Sequence, residues 1–560
     1  MSPGSADDTT RYLCAAAYLD PRFGTRAITE FLVEPTRPVP PSPGLDAGRV
    51  LTEAVRARAR RKNYDGLLVL LMAVVIGLSW DNPLLYGWIV LSVVLVVARA
   101  GKHPGTAERP FNPKTLALVA AAVVVLWLLL AYSDEIFNSG SRSYSSRYYA
   151  DVEFGDSSGG DTARYVIGIV LAVVVLMVVT FERWSLWNLL TTRFKRFAPP
   201  APDSGSLTGL FTEDFRAQLG RYQRVDEFAG APGAPLVVYR GYNPFVGAGF
   251  RRDAWSMAIP LERLEDDEAG PAERRELTTE SLYEEIRGAI GDLRRSAALS
   301  PDGRLGGLTV TEAVFTPAAE LVDHLGESEA AAYLPDIEYP PHTRLTEADV
   351  ERIRREPKEW ARYYLCFQVE TWDRDLVLTT FLHLAVDDTT LYVEWTPFML
   401  PPIRADYRAV DKMRQESLRP YGQGLLGWLE LPASLPGRIA NLASWIRPPR
   451  REAGVLDPER YGAGSTLREL GSVNRFTDYF QLVDIERYEK IIESRLLPTI
   501  GKLLGDAGFS TAKFDEQAAV VINNDITIGG DNRAPITQTG QRGPRSRPPR
   551  TTGRPAGAEA

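Results

Sequence analysis

Four apolar runs constrain this chain more than any other feature: Leu67 to Trp80, Leu84 to Ala98, Leu116 to Tyr132 and Tyr165 to Phe181, none containing a charged side chain. A helix of 17 residues rises roughly 26 Å, close to the hydrocarbon thickness of a bilayer. The third and fourth runs therefore have the length of spanning helices. The first two are shorter and are separated only by Asp81, Asn82 and Pro83, which break a helix and suit a tight turn. The pattern predicts a helical hairpin there, and four spans in all, over about 64–80, 84–99, 115–132 and 165–182.

Charge sets the expected orientation, because cytoplasmic loops retain the excess Lys and Arg. Arg56, Arg58, Arg60, Arg61 and Lys62 precede the first run, Arg99, Lys102, Arg109 and Lys114 follow the second, and Arg183, Arg193, Lys195 and Arg196 follow the fourth. The loop between the third and fourth runs is acidic instead, with Asp134, Glu135, Asp151, Glu153, Asp156 and Asp161. Both termini are thus expected in the cytoplasm of a plasma-membrane protein. Trp80, Trp127, Tyr132, Trp184 and Trp187 fall near the expected interfaces, where amphipathic rings concentrate.

The remainder of the 560 residues has an ordinary balance, with a net charge of −8 that gives no field suited to nucleic acid. Both cysteines, Cys14 and Cys366, lie on the expected cytoplasmic side, where disulfides are not formed and a buried apolar role is the natural one. No basic segment leads into an apolar core near the start, so insertion is expected to use the first apolar run.

Residues 1–62 read as a helical preface: RYLCAAAYLD is helix-prone, Pro21 opens a second turn, and the proline-rich EPTRPVPPSPG connects to a third helix from Ala47 to Lys62. After the fourth run, residues 184–206 read as an interfacial helix with Trp184, Trp187, Leu190 and Phe194 on one face, or as a straight continuation of the span, followed by a linker. Residues 207–530 form an expected α+β cytoplasmic domain. Its strand candidates are Leu236 to Arg240, Trp255 to Leu261 and Leu308 to Phe315; Glu273 to Ala298 has helical periodicity. RYYLCFQVET, DLVLTTFLHLAV and TLYVEWTPFML are β-rich runs joined by short turns, which predicts an antiparallel meander. Residues 405–475 read as helical pieces and Pro-rich loops, and Asp484 to Leu504 as a long amphipathic helix. VVINNDITIGGDN reads as a short strand and turn, and residues 531–560 as a disordered basic tail.

Chemistry-bearing motifs are sparse. Transport needs polar groups along a pathway, and the apolar runs offer only Ser79, Ser92 and glycines, which favours an anchor over a conduit. The loop RGYNPFVGAGFRRD follows a strand candidate and carries Gly247, Gly249, Arg251 and Arg252; backbone amides and guanidinium groups of this kind can hold an anion. It contains no Walker sequence, and a strand rather than a helix follows, so it is not a nucleotide fingerprint. His103, His324, His342 and His383 lack metal-ligand spacing, and there is no GxSxG elbow. No cofactor and no catalytic residue are expected.

RYLCAAAYLD, YRGYNPFVGAG followed by WSMAIPL, and the Arg-over-Lys, Ala-rich composition together resemble uncharacterised multi-pass membrane proteins of actinobacteria. That resemblance implies a bacterial plasma membrane and carries no functional residue. The expected function is a multi-pass anchor for a cytoplasmic domain that binds a protein partner or ligand, as scaffold or sensor, with homo-oligomers open. The rival readings are a membrane-tethered enzyme using the Gly247 to Arg252 loop, and a transporter or channel subunit.

Overall fold

A computed structural model describes residues 6–40, 45–80, 83–100, 158–196, 215–224, 233–264, 276–373, 375–446, 456–476 and 478–524. The third apolar run, the acidic loop as far as residue 157 and the C-terminal tail lie outside them.

The centre of the protein is a mixed eight-stranded sheet, in which β2 (Phe250–Arg251) and β3 (Trp255–Pro260) both pair with β8 (Thr390–Leu400). The path continues through β7 (Leu376–Val386), β6 (Arg362–Thr371), β4 (Thr309–Pro317), β1 (Ala234–Tyr239) and β5 (Arg344–Leu345). β1 and β4 run parallel, with Leu236 opposite Val314; β6, β7 and β8 form an antiparallel meander, with Leu382 opposite both Leu365 and Trp395. Asp387 shapes the β7–β8 turn, its carboxylate accepting from the amides of Thr389 and Thr390, both at 2.7 Å.

Side chains alternate across the strands and divide into two cores. Leu236, Val238, Val314, Leu365, Phe367, Leu382 and Trp395 face one side, where helix Thr279–Gly291 and the long helix Tyr479–Asp506 cover them. Val237, Phe315, Tyr364, Cys366, Phe381 and Phe398 face the other. There Phe245, from the glycine-rich loop, stacks on Phe381 with ring centroids 4.1 Å apart. Cys14 and Cys366 are both buried, and they are not joined in a disulfide.

The N-terminal helices are part of this body. Helix Pro21–Phe31 starts at Asp20, whose carboxylate accepts from the Arg22 amide at 2.9 Å, with Pro21 pre-set at the first helical position. Helices Ala6–Leu19 and Pro21–Phe31 pack against the first half of helix Ala47–Leu78, and Leu190, Phe194, Tyr407 and Leu467 complete the same core. Arg11 ties it together, donating to the Phe194 carbonyl at 2.6 Å and pairing with Asp411 at 2.6 Å.

The structure overturns the four-span architecture. Among the described residues, one helix is long and apolar enough to cross a membrane, Ile167–Arg193, with a mean hydropathy of 2.1 over its most apolar window. The first apolar run is the far end of a 32-residue helix, Ala47–Leu78, whose near end is basic and buried in the body. The second is a shorter apolar helix, Leu84–Arg99. An apolar run read by itself cannot reveal that it continues a helix anchored in a folded domain. The multi-pass description therefore falls, and the sheet rather than the apolar block organises the fold.

Of the two readings of residues 184–193, the structure has the straight continuation, in helix Ser158–Arg193, and not a separate interfacial helix. The start of the expected VVINNDITIGGDN strand is the end of helix Ala512–Asn524.

Candidate functional site

The glycine-rich loop was the one anion-binding candidate in the sequence, and its amides do hold an anion, one supplied by the chain itself. Gly247 and Gly249 adopt φ of +96° and +89°, the left-handed region open to glycine. A Cβ on Gly249 would lie 2.4 Å from the Met399 carbonyl oxygen, so only glycine lets the loop approach β8. Both amides donate to Oε1 of Glu469, at 3.0 and 3.1 Å. Oε2 of the same carboxylate accepts from the Thr466 amide at 2.8 Å, closing the capping box of helix Leu467–Gly471. Burial pushes the Glu469 carboxyl above its ordinary range, and the amide hydrogen bonds pull in the opposite direction. Sequence reasoning missed Glu469; its only trace was the Thr466-x-x-Glu469 capping spacing.

Arg251 and Arg252 part company. Arg252 points to the long helix and pairs with Glu489 at 2.7 Å. Arg251 is exposed at the edge strand β2, and its side chain has no ion-pair partner among the described residues. His383, in β7, is engaged with the Tyr363 carbonyl at 2.9 Å.

The long helix carries a row of polar side chains toward the sheet. Asp484 accepts from the Trp372 indole at 3.0 Å, Glu489 from Arg252, and Glu493 from the Trp255 indole at 2.9 Å. Beyond Glu493 the character changes. Helices Tyr479–Asp506 and Ala512–Asn524 diverge around a groove of about 870 Å³. Leu497, Phe514 and Ala518 form its buried floor, with Pro498 and Ile522 on the rim. Pro498 has no N–H to offer the Ser494 carbonyl, so the groove wall contains a carbonyl without its helical partner. Gly501 keeps the wall shallow, since a Cβ there would sit 3.2 Å from the Phe514 ring.

Lys490 and Lys502 mark the two ends of this wall, about 18 Å apart along the helix. Neither has an ion-pair partner among the described residues, whereas Asp515 on the opposite wall accepts from Thr511 at 3.0 Å. The volume falls within the usual range of small-molecule sites, and the lining sets an apolar floor among polar side chains, Lys490, Glu493, Lys502 and Asp515 included. Nothing in the sequence marked the groove, because it depends on how two helices diverge. Among the described residues no cluster of His, Cys, Asp and Glu is suited to a metal.

The family model for the AbeC-like domain matches residues 254–534, just over half of the chain. The chain belongs to the AbeC-like domain family. No curated protein and no solved structure matches it. The AbeC-like region starts at β3, contains β4 to β8, and ends beyond the groove helices, so the groove lies wholly inside it. Gly247 to Arg252, β1 and β2 precede it, although they pair into the same sheet.

Proposed function

We propose that this AbeC-like protein is a membrane-anchored sensor: the groove beside Lys490 and Lys502 binds an elongated apolar molecule with an anionic end, and the body passes its occupancy to a cytoplasmic protein partner. The groove is the observation that carries this reading. Its floor is apolar, and Lys490 and Lys502 at its ends have no ion-pair partner among the described residues, while the Asp515 carboxylate on the opposite wall is engaged by the Thr511 hydroxyl. A fatty-acid-like ligand satisfies both features, because its chain covers Leu497 and Phe514 while its carboxylate meets an ammonium group.

Anchoring at a bacterial plasma membrane is supported by the exposed apolar faces of three neighbouring helices. Leu70 and Leu78, Val93 and Val97, and Val170 and Met177 all stand exposed there. Exposed apolar surface on this scale calls for a covering. The shared core of the N-terminal helices and residues 403–410 supports both ends of the described chain on one side, the cytoplasmic one by the placement of arginines and lysines.

The test is photo-crosslinking of a diazirine-labelled long-chain fatty acid to the full chain in lipid nanodiscs, with peptides mapped by mass spectrometry. Adducts within residues 490–522, competed by unlabelled fatty acid and reduced by a Lys490→Ala, Lys502→Ala double variant, are the expected result. Adducts confined to the apolar helices, or insensitivity to both substitutions, would overturn the ligand assignment.

A further inference from the structure

Residues 405–475 read in sequence as helical pieces and Pro-rich loops, and the structure builds a hairpin from two of the helices, Arg419–Leu429 and Leu431–Ala443, joined at Glu430. From this hairpin we infer a second membrane contact: it is a re-entrant wedge by which the AbeC-like region itself enters the lipid of the cytoplasmic leaflet. The inference rests on the anchoring reading, but it concerns a segment outside all four apolar runs of the sequence.

The hairpin sits beside the apolar helices at the depth of their hydrocarbon-like segments. Its first arm lies against helix Ser158–Arg193. At its base the Trp187 indole donates to the Arg414 carbonyl at 2.9 Å. Higher up, Gly424 lies so close to Thr180 that a Cβ would come within 2.7 Å of that residue's Cα, and Gly427 rests on Val179. Small residues at such positions are what lets helices meet closely in lipid. At the top, Leu431 is buried with Leu68, Met72, Val75, Leu85 and Val175. From Arg183 to Val175 is about 12 Å of helix, so the tip lies well inside one leaflet of a core about 30 Å thick.

The second arm returns along helix Ala47–Leu78 to a polar base. There Asp65 pairs with Arg438 and accepts from Asn441 at 2.6 Å, and Lys62 donates to the Ser444 carbonyl at 2.6 Å. Each arm is far shorter than the roughly 20 residues a span requires, so the segment goes in and comes back.

Composition and exposure fit lipid as the occupant. Between Arg419 and Arg438 the only charged residue is Glu430, which pairs with Arg99 at the end of the neighbouring apolar helix. Tyr421, Leu425, Leu426 and Ile439 stand exposed on the hairpin, as Leu67, Met177 and Phe181 do on the helices it packs against. The other cations lie at the base, where Arg58 and the buried Lys62 donate to the Ser444 carbonyl and Arg60 donates to the Glu182 carbonyl. Cations below an otherwise apolar segment suit an anionic cytoplasmic leaflet, and at the tip the Glu430 charge is met by the half-exposed Arg99.

The test places an environment-sensitive nitrobenzoxadiazole label on single cysteines in the full chain, reconstituted in phosphatidylcholine/phosphatidylglycerol vesicles doped with doxyl-labelled lipid. The sites are Leu426→Cys and Ile439→Cys on the hairpin, Val173→Cys on the apolar helix and Tyr242→Cys at a fully exposed position of the glycine-rich loop; the native thiols are buried. The expected result is strong quenching by doxyl lipid at 426, 439 and 173 and none at 242, with quenching at 426 lost when Gly424→Leu pushes the arm away from Thr180. Quenching at 173 alone would overturn the wedge and leave the anchor standing. Absence of quenching at all sites would overturn both. Blue-shifted but unquenched labels at 426 and 439 would mean that protein, such as a second copy, covers the hairpin, and would also overturn the wedge.

Discussion

The sheet and the apolar helices are built from the same side chains and do opposite things with them. Leu378, Leu382, Val393 and Trp395 are fully enclosed between the sheet and its helices, while Leu70, Val97, Ile169 and Met177 stand more than half exposed. Hydrophobicity is therefore not what separates a protein core from a surface awaiting lipid. The difference lies in which partners the rest of the chain provides. The strands have the helices Thr279–Gly291 and Tyr479–Asp506 to cover them, whereas among the described residues the apolar helices have one another and the hairpin 419–443.

That contrast breaks first under truncation. Trp395→Ala removes a fully buried ring from the sheet core and is expected to lower stability by about 3–5 kcal/mol, against within about 0.5 kcal/mol for Met177→Ala on the exposed helix face. Denaturant titration of both variants in the same detergent micelle checks it; equal losses would remove the distinction between the regions.

A smaller effect is expected where the sheet meets the glycine-rich loop. Glu469→Ala leaves the amides of Gly247 and Gly249 without their acceptor, at a cost of roughly 1–3 kcal/mol for such buried donors. Hydrogen exchange at those two amides should accelerate well beyond exchange in β6 and β7.

Smaller still is the effect of acid on the seam between the N-terminal helices and residues 404–411. Burial alone would raise the carboxyls of Asp20 and Asp411. Tyr407 and the Arg22 amide outweigh it at Asp20, and Arg11, Tyr12 and the Arg196 amide at Asp411, so both are held below the ordinary Asp value. A depressed carboxyl contributes stability that is present above its unfolded value, about pH 3.9, and is lost as pH falls through the folded value. Limited proteolysis with an acid-active protease should cut residues 6–40 as pH drops below about 4 while β6 to β8 stay protected, and Asp411→Asn should move that onset upward. The smallest expected change in stability belongs to Lys490→Ala and Lys502→Ala, which remove exposed ammonium groups without ion-pair partners among the described residues and should alter ligand capture while leaving the unfolding midpoint in place.

The sheet was largely legible in the sequence because its signal is local. Runs rich in β-branched and aromatic residues, RYYLCFQVET, DLVLTTFLHLAV and TLYVEWTPFML, joined by short turns, are enough to place β6, β7 and β8. The parallel pairing of β1 with β4 is not local: Leu236 and Val314 meet across a long separation that no periodicity records. The apolar runs misled for the same reason. Leu67 to Trp80 looks like an independent span until Val50, Leu51 and Ala54 are seen buried on the same helix. At the loop, glycine spacing revealed amides able to hold an anion, but not that the anion is Glu469, 220 residues away from Gly249. The groove and the hairpin 419–443 left still less trace, since both depend on how distant helices approach one another.

Flotation of the full chain tests most directly whether lipid is what the apolar helices lack. Mixed with phosphatidylglycerol-containing vesicles and spun through a density gradient, then washed at alkaline pH, the protein should rise with the lipid and stay there, and Leu70→Glu with Met177→Glu should weaken that retention. A chain that remains at the bottom of the gradient, monodisperse in buffer without detergent, would contradict a lipid-facing end.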